Sequence, residues 1–197
     1  GIVGKYGQQV QNVLKKAAAI DIQTICSLHG PVLKENLGYY LNLYNTWSSY
    51  EVESDGVVIA YTSVYGNTKK AVEALAKELE SIGVKVSVSD LARDDMAEAI
   101  EDAFRYDKLI LAASSYNAEV FPPMQEFLNG LKGRNYQNRK VGIIENGSWA
   151  PSAAKTMKTT LEGMKDITIC EKQVTIKSTM KDTDIQDLTE LATEILK

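Results

Sequence analysis

Five strand-like segments alternate with amphipathic helical segments through most of this chain, and that alternation limits the fold more than any other feature. GVVIAYT (56–62) is a nearly continuous apolar run, as in a parallel strand covered on both faces. VKVSVSD (84–90), KLILAAS (108–114), KVGIIEN (140–146) and ITICEKQVTI (167–176) supply four more strands. Between the first two, Val72, Leu75, Ala76 and Leu79 recur at helical spacing and Gly83 marks the stop. Residues 97–106 read as a second helix, and Pro122 and Pro123 open a third through Met124, Phe127 and Leu128, ending near Gly130 or Gly133. Residues 151–164 make a fourth. A capping box of Thr183 and Gln186 starts the last, which buries Ile185, Leu188, Leu191, Ala192 and Ile195. Such βα units with short connections predict an α/β fold with a doubly wound, parallel, five-stranded sheet.

The first fifty residues break this rhythm. Residues 6–19 form a helix with Val10, Val13, Leu14 and Ala17 on one face, and residues 21–33 a short strand running into a loop at His29, Gly30 and Pro31. Residues 36–50 are helical, with Leu37, Tyr40, Leu41 and Tyr44 along one side. Two amphipathic helices and one strand make a poor core alone, so residues 1–50 read as the end of a larger domain and 51–197 as a second domain. Gly1 reads as the residue a cleaved tag leaves behind.

Composition excludes several classes. The net charge of −4 and the absence of a basic stripe argue against nucleic acid or an anionic membrane as partner. No apolar run approaches a membrane span. The two cysteines, Cys26 and Cys170, fit no metal or redox spacing and suit a reducing, cytoplasmic setting. Asn146-Gly147-Ser148 spells a glycosylation sequon that carries no weight in that setting.

In a doubly wound sheet, ligands bind beyond the carboxyl ends of the strands, where the connections diverge to opposite faces. Three loops fall there. Ser63-Val64-Tyr65-Gly66-Asn67-Thr68 stands at a strand-to-helix junction, where free amides, hydroxyls and the positive helix end suit a phosphate. The alternative is that Asn67 or Thr68 simply caps the helix. No Gly-Lys-Ser/Thr ending and no GxGxxG is present, which rules out two other phosphate motifs. The second loop, SSYNAEVFPP (114–123), exposes Tyr116, and the third, ENGSWAPS (145–152), carries Trp149. Each aromatic alone is more often a packing residue; together with the first loop they describe a seat for a flat ring with a phosphate tail.

This combination resembles the flavodoxin fold over residues 55–197, with TSVYGNT similar to the phosphate loop of members that bind flavin mononucleotide (FMN). ICSLHGPVL (25–33) resembles the end of the metallo-β-lactamase-like domain of flavodiiron proteins, in which a flavodoxin-like domain follows directly. The resemblance implies that residues 63–68 hold the FMN phosphate. It puts Ser115, Tyr116 and Asn117 beside the ribityl chain and isoalloxazine, and Gly147, Ser148 and Trp149 at the ring's other edge. His29 matches the last ligand of a diiron centre. The family's iron site also needs an H-x-E-x-D motif and further His and Asp ligands. His29 is the only histidine here, so it is an ancestral ligand in an incomplete site and no diiron binding is expected.

The expected function is therefore the FMN-binding electron-transfer part of an oxygen or nitric oxide reductase. The resemblance implies a rubredoxin-like protein or a flavin reductase as electron donor and a head-to-tail homodimer in the intact protein. Two rivals share the fold: a free-standing flavin-dependent NAD(P)H:quinone reductase and a cofactor-free interaction module. Nothing marks a nicotinamide site, and the hydroxyls of Thr62, Ser63 and Thr68 exceed what a scaffold needs. A receiver domain needs an acidic pocket where this chain has Tyr61 and Thr62.

Overall fold

The structure, a computed structural model, describes residues 2–197; the reading of Gly1 lies outside the described residues. Helices α1 (Ile2–Lys5) and α2 (Gly7–Ala17) precede a small antiparallel hairpin, β1 (Ile25–Cys26) and β2 (Val32–Leu33), and helix α3 (Leu37–Ser48). The expected single strand is thus a two-stranded hairpin whose loop carries His29. The alternating part follows: β3 (Ser54–Tyr61), α4 (Asn67–Ser81), β4 (Val86–Asp90), α5 (Met96–Arg105), β5 (Tyr106–Tyr116), β6 (Glu119–Val120), α6 (Pro122–Lys132), β7 (Arg139–Asn146), α7 (Ala153–Glu162), β8 (Ile167–Ile176) and α8 (Asp182–Ile195).

Five parallel strands run β4-β3-β5-β7-β8, as the alternation predicts. Side chains alternate across each strand, so the sheet has two apolar faces. Val58, Leu109, Leu111, Val141 and Ile143 bury one face against α5, α6 and α7. Val57, Ile59, Ile110, Ile144 and Val174 bury the other against α4 and α8. Each buried aliphatic side chain contributes roughly 1.5–3 kcal/mol of transfer free energy, which makes this double layer the main source of stability.

Residues 3–50 are built differently. Gly7 and Ser48 are the only buried residues among them. Polar contacts fasten this segment to the edge where the sheet's strands begin. Arg139, buried at the start of β7, donates to six backbone carbonyls, those of Tyr50, Glu51, Phe104, Tyr106, Gln137 and Asn138. The Tyr50 hydroxyl donates to the Gly4 carbonyl at 2.6 Å, and Asn135 Nδ2 to that of Lys5 at 3.0 Å.

Two local expectations fail. The last helix starts at Asp182, and its cap is the Asp184 carboxylate accepting the Lys181 amide at 2.8 Å, not a Thr183–Gln186 pair. Ile185 stays 46% exposed, because only Leu188, Leu191, Ala192 and Ile195 turn toward the sheet. Among the described residues, no helix is long and apolar enough to cross a membrane.

Candidate functional site

The helix after β3, α4, lies on one face of the sheet, and the helix after β5, α6, on the other. The connections therefore diverge at the carboxyl ends of β3 and β5, the place where doubly wound sheets bind ligands; the first two predicted loops follow these strands, and the third follows the neighbouring β7.

The first loop is residues 62–66, leading into α4. Neither Asn67 nor Thr68 caps that helix. Ser63 does: its Oγ accepts the amides of Gly66 at 3.1 Å and Lys69 at 3.3 Å. Gly66 sits at φ 87°, a left-handed conformation that disfavours any side chain, so the tight turn requires glycine there. This geometry leaves the amides of Val64, Tyr65, Asn67 and Thr68 without an acceptor among the described residues. Four free donors therefore stand at the positive end of a fifteen-residue helix, the kind of terminus that favours an anion. Beneath it, Thr62 is fully buried and its Oγ1 has no hydrogen-bond partner, while the Thr68 hydroxyl pairs with Ser114 Oγ at 3.2 Å.

The second segment is mostly not a loop. Residues 114–116 extend β5, and Asn117 and Ala118 turn it with φ of 50° and 60° into the antiparallel partner β6. Both central residues adopt positive φ, the geometry of tight hairpin turns. The turn holds Tyr116, 53% exposed, edge-on to Phe121 with centroids 5.4 Å apart.

The third loop spans 147–152. Gly147 is required by close approach, since a Cβ there would lie 2.9 Å from Ser115 Oγ and 3.0 Å from Pro151 Cα. Ser115 Oγ accepts the amides of Ser152 at 2.8 Å and Ala153 at 3.2 Å, so the second segment caps α7, the helix after the third loop. Ser152 Oγ returns a bond to the Glu119 carbonyl at 2.9 Å. Ser148 and Trp149 crown the loop, and the Trp149 ring is 97% exposed. Bonds of Thr68 to Ser114 and of Ser115 and Glu119 to the start of α7 thus join the three predicted segments to one another. His29 is exposed in the β1–β2 hairpin on the separate N-terminal segment, and among the described residues no group of three or more His, Cys, Asp or Glu is placed to hold a metal.

Sequence reasoning passed over two residues near this end. Tyr61 donates its hydroxyl to Asp90 at 3.2 Å; burial, then the Asp90 carboxylate, pushes its pKa up to about 12, so it stays a neutral donor. Glu145, 5% exposed near the end of β7, accepts from the Ala154 amide, Thr175 Oγ1 and Gln173 Nε2. Its signal was legible: alternation in β7 puts Glu145 on the same buried face as Val141 and Ile143.

Residues 58–179 match the family model described as a flavodoxin domain. An anaerobic nitric oxide reductase flavorubredoxin of Pectobacterium carotovorum is 23% identical over 144 residues, covering 72% of this chain and 28% of the relative. The rubredoxin oxygen:oxidoreductase of Desulfovibrio gigas superposes with a TM-score of 0.89 at 19% identity, covering 98% of this chain and 48% of its own. The flavodiiron protein of Giardia intestinalis does so with 0.89 at 20% identity, covering 99% and 49%. The chain spans about half or less of the length of these relatives. At such identities the superpositions speak to fold; with the family match running from β3 past the end of β8 and through all three loops, this chain belongs to the flavodoxin domain family.

Proposed function

We propose that this chain is the FMN-binding, electron-transfer part of a flavodiiron-type oxygen or nitric oxide reductase. The observation that carries the reading is the set of free amides of Val64, Tyr65, Asn67 and Thr68 flanking Gly66, next to the unpartnered Thr62 hydroxyl. In it, Ser63, Val64, Tyr65, Gly66, Asn67 and Thr68 hold the phosphate through amides and hydroxyls. Ser115, Tyr116 and Asn117 flank the ribityl chain and ring on one side, and Gly147, Ser148 and Trp149 the ring's other edge. Two exposed aromatic rings on mutually hydrogen-bonded segments fit a flat, partly apolar ligand. When bound, FMN supplies one- and two-electron redox chemistry, and the protein supplies position and electrostatics.

Residues 1–50 are read as the end of a metallo-β-lactamase-like domain and residues 51–197 as the flavodoxin-like domain. Support comes from superpositions on flavodiiron-type chains that extend over 98 and 99% of this chain, N-terminal segment included. The residues present do not fit a diiron centre, since His29 is exposed and alone, and no step at iron is assigned to them. A rubredoxin-like protein or a flavin reductase serves as donor, a second copy pairs with the intact protein, and the setting is cytoplasmic.

An absorption and fluorescence titration of the purified chain with FMN tests this. Saturable binding with quenched flavin fluorescence is expected, and a Tyr116→Ala/Trp149→Ala double variant weakens it roughly tenfold or more. Unchanged affinity in that variant would sink the ring pocket, and no binding by the wild-type chain would sink the cofactor reading.

A further inference from the structure

A carboxylate inside a protein is costly unless its oxygens are fully hydrogen-bonded. Glu145 meets that condition without any cation. Its Oε2 accepts the Ala154 amide at 2.9 Å, and its Oε1 accepts Thr175 Oγ1 at 2.9 Å and Gln173 Nε2 at 3.3 Å. No lysine, arginine or histidine is ion-paired to it among the described residues. All three neighbours can donate, and carboxylate oxygens accept. The first turn of α7 contributes further positive potential. The result is a fixed, buried negative charge at the carboxyl edge of the sheet, in register with Ala113 of β5 and Thr175 of β8.

Its position gives that charge a task. The 147–152 loop is anchored at both ends and free in the middle. At its start, Asn146 exchanges side-chain bonds with Ser178, at 2.9 and 3.0 Å, and the Gly147 amide donates to the Ile176 carbonyl at 3.0 Å. At its end, Ser115 Oγ takes the amides of Ser152 and Ala153, and Glu145 takes that of Ala154. Glu145 therefore ties β7 and β8 to the start of α7, the helix that follows the loop carrying Trp149. A buried charge in low dielectric acts on neighbours more strongly than one in water.

Resting on the flavin reading above, we infer that Glu145 is a positioning residue. It holds the 147–152 loop in place, and its fixed charge lowers the reduction potential of a flavin seated against that loop. The sign follows from electrostatics: reduction of FMN by two electrons and one proton leaves an anion, which a nearby carboxylate disfavours. Glu145→Gln keeps the shape and an acceptor for the Ala154 amide while removing the charge. Glu145→Ala removes the anchor.

The test uses the full chain with FMN as the probe and three readouts: affinity by fluorescence titration, midpoint potential by spectroelectrochemistry, and hydrogen exchange of the 147–154 amides without flavin. Glu145→Gln is expected to bind FMN about as tightly as wild type, with a midpoint shifted upward. Glu145→Ala is expected to exchange its Ala154 amide faster and to bind FMN more weakly. A Gln variant that binds FMN at an unchanged midpoint overturns the electrostatic role while leaving the cofactor reading intact. An Ala variant with unaltered exchange overturns the anchoring role. A wild-type chain that takes up no FMN overturns the cofactor reading and the potential-setting role with it, and the exchange arm still decides the anchoring role.

Discussion

Strand β3 and helix α2 both present apolar side chains along one or more faces, yet their fates differ completely. Val57, Val58, Ile59 and Ala60 of β3 are fully buried, whereas Val13 of α2 is 63% exposed and Gly7 is the only buried residue of that helix. The difference lies in what surrounds each element. A central strand has a helix layer on both sides and a neighbour on each edge, so every apolar atom finds a partner. Helix α2 packs on α3 and is otherwise fastened by polar groups, such as Gln11 Nε2 donating to Ser48 Oγ at 2.8 Å. Burial follows from the number of covering layers, not from local apolar content. The sheet should therefore carry the global stability, and the N-terminal segment should open locally at small cost.

The largest effect tests that contrast directly. Leu111→Ala or Ile144→Ala, each at a fully buried position, should lower unfolding stability by about 3 kcal/mol, while Val13→Ala or Leu28→Ala should stay within about 0.5 kcal/mol in urea unfolding. Similar costs in both regions would break the comparison. Arg139 joins the two regions, and burial holds its guanidinium pKa below the usual range without displacing its proton. Replacing it by Met strips six carbonyls of their donor, and a loss of about 2 kcal/mol is expected, with early proteolytic cleavage near residues 49–53. Cleavage no faster than in wild type would mean the other polar contacts hold the segment unaided.

Smaller effects sharpen the picture on the sheet side. Ser63→Ala removes the only side-chain cap of α4 and should cost about 1 kcal/mol, read in thermal or urea unfolding. The Tyr61 hydroxyl has its pKa raised from 10.0 to about 12 by burial and Asp90, so the folded state keeps a proton that the unfolded state loses between those values. Its stabilising contribution is whole below pH 10 and is lost as pH climbs toward 12. Tyr61→Phe should flatten that alkaline decline, and an identical decline would assign it to other groups. The least intrusive probe is a thiol reagent. Exposed Cys26 should react at once in native protein, and Cys170, buried and pushed up to about 11 by that burial, only on unfolding.

Much of the candidate site was legible because its signals are local. The 63–68 segment declares itself by small and hydroxyl residues at a strand-to-helix junction, and Trp149 by standing in an Asn-Gly-Ser turn. What escaped was the use of each group. Ser115, expected beside a ligand, spends its acceptor capacity on the amides of Ser152 and Ala153. The 114–123 segment, expected as a loop, pairs with itself through a tight turn in which Asn117 takes positive φ readily and Ala118 takes it against its intrinsic preference. The last helix takes Asp184 as its cap because that carboxylate reaches the Lys181 amide, a competition among several nearby acceptors that composition does not rank.

By itself, the sequence determined the strand-helix alternation beyond residue 51, the parallel five-stranded sheet and the connections that follow its strands. Periodicity and turn chemistry act over a few residues, and the handedness of βα connections leaves little choice beyond them. Tertiary structure alone decided which distant groups meet. Ser115 is 37 residues from the amide it caps at Ser152, Glu145 is 30 from Thr175, and Arg139 is 89 from the Tyr50 carbonyl. Such partners are chosen by strand register, which brings remote positions within 3 Å, and no local pattern in the chain encodes them.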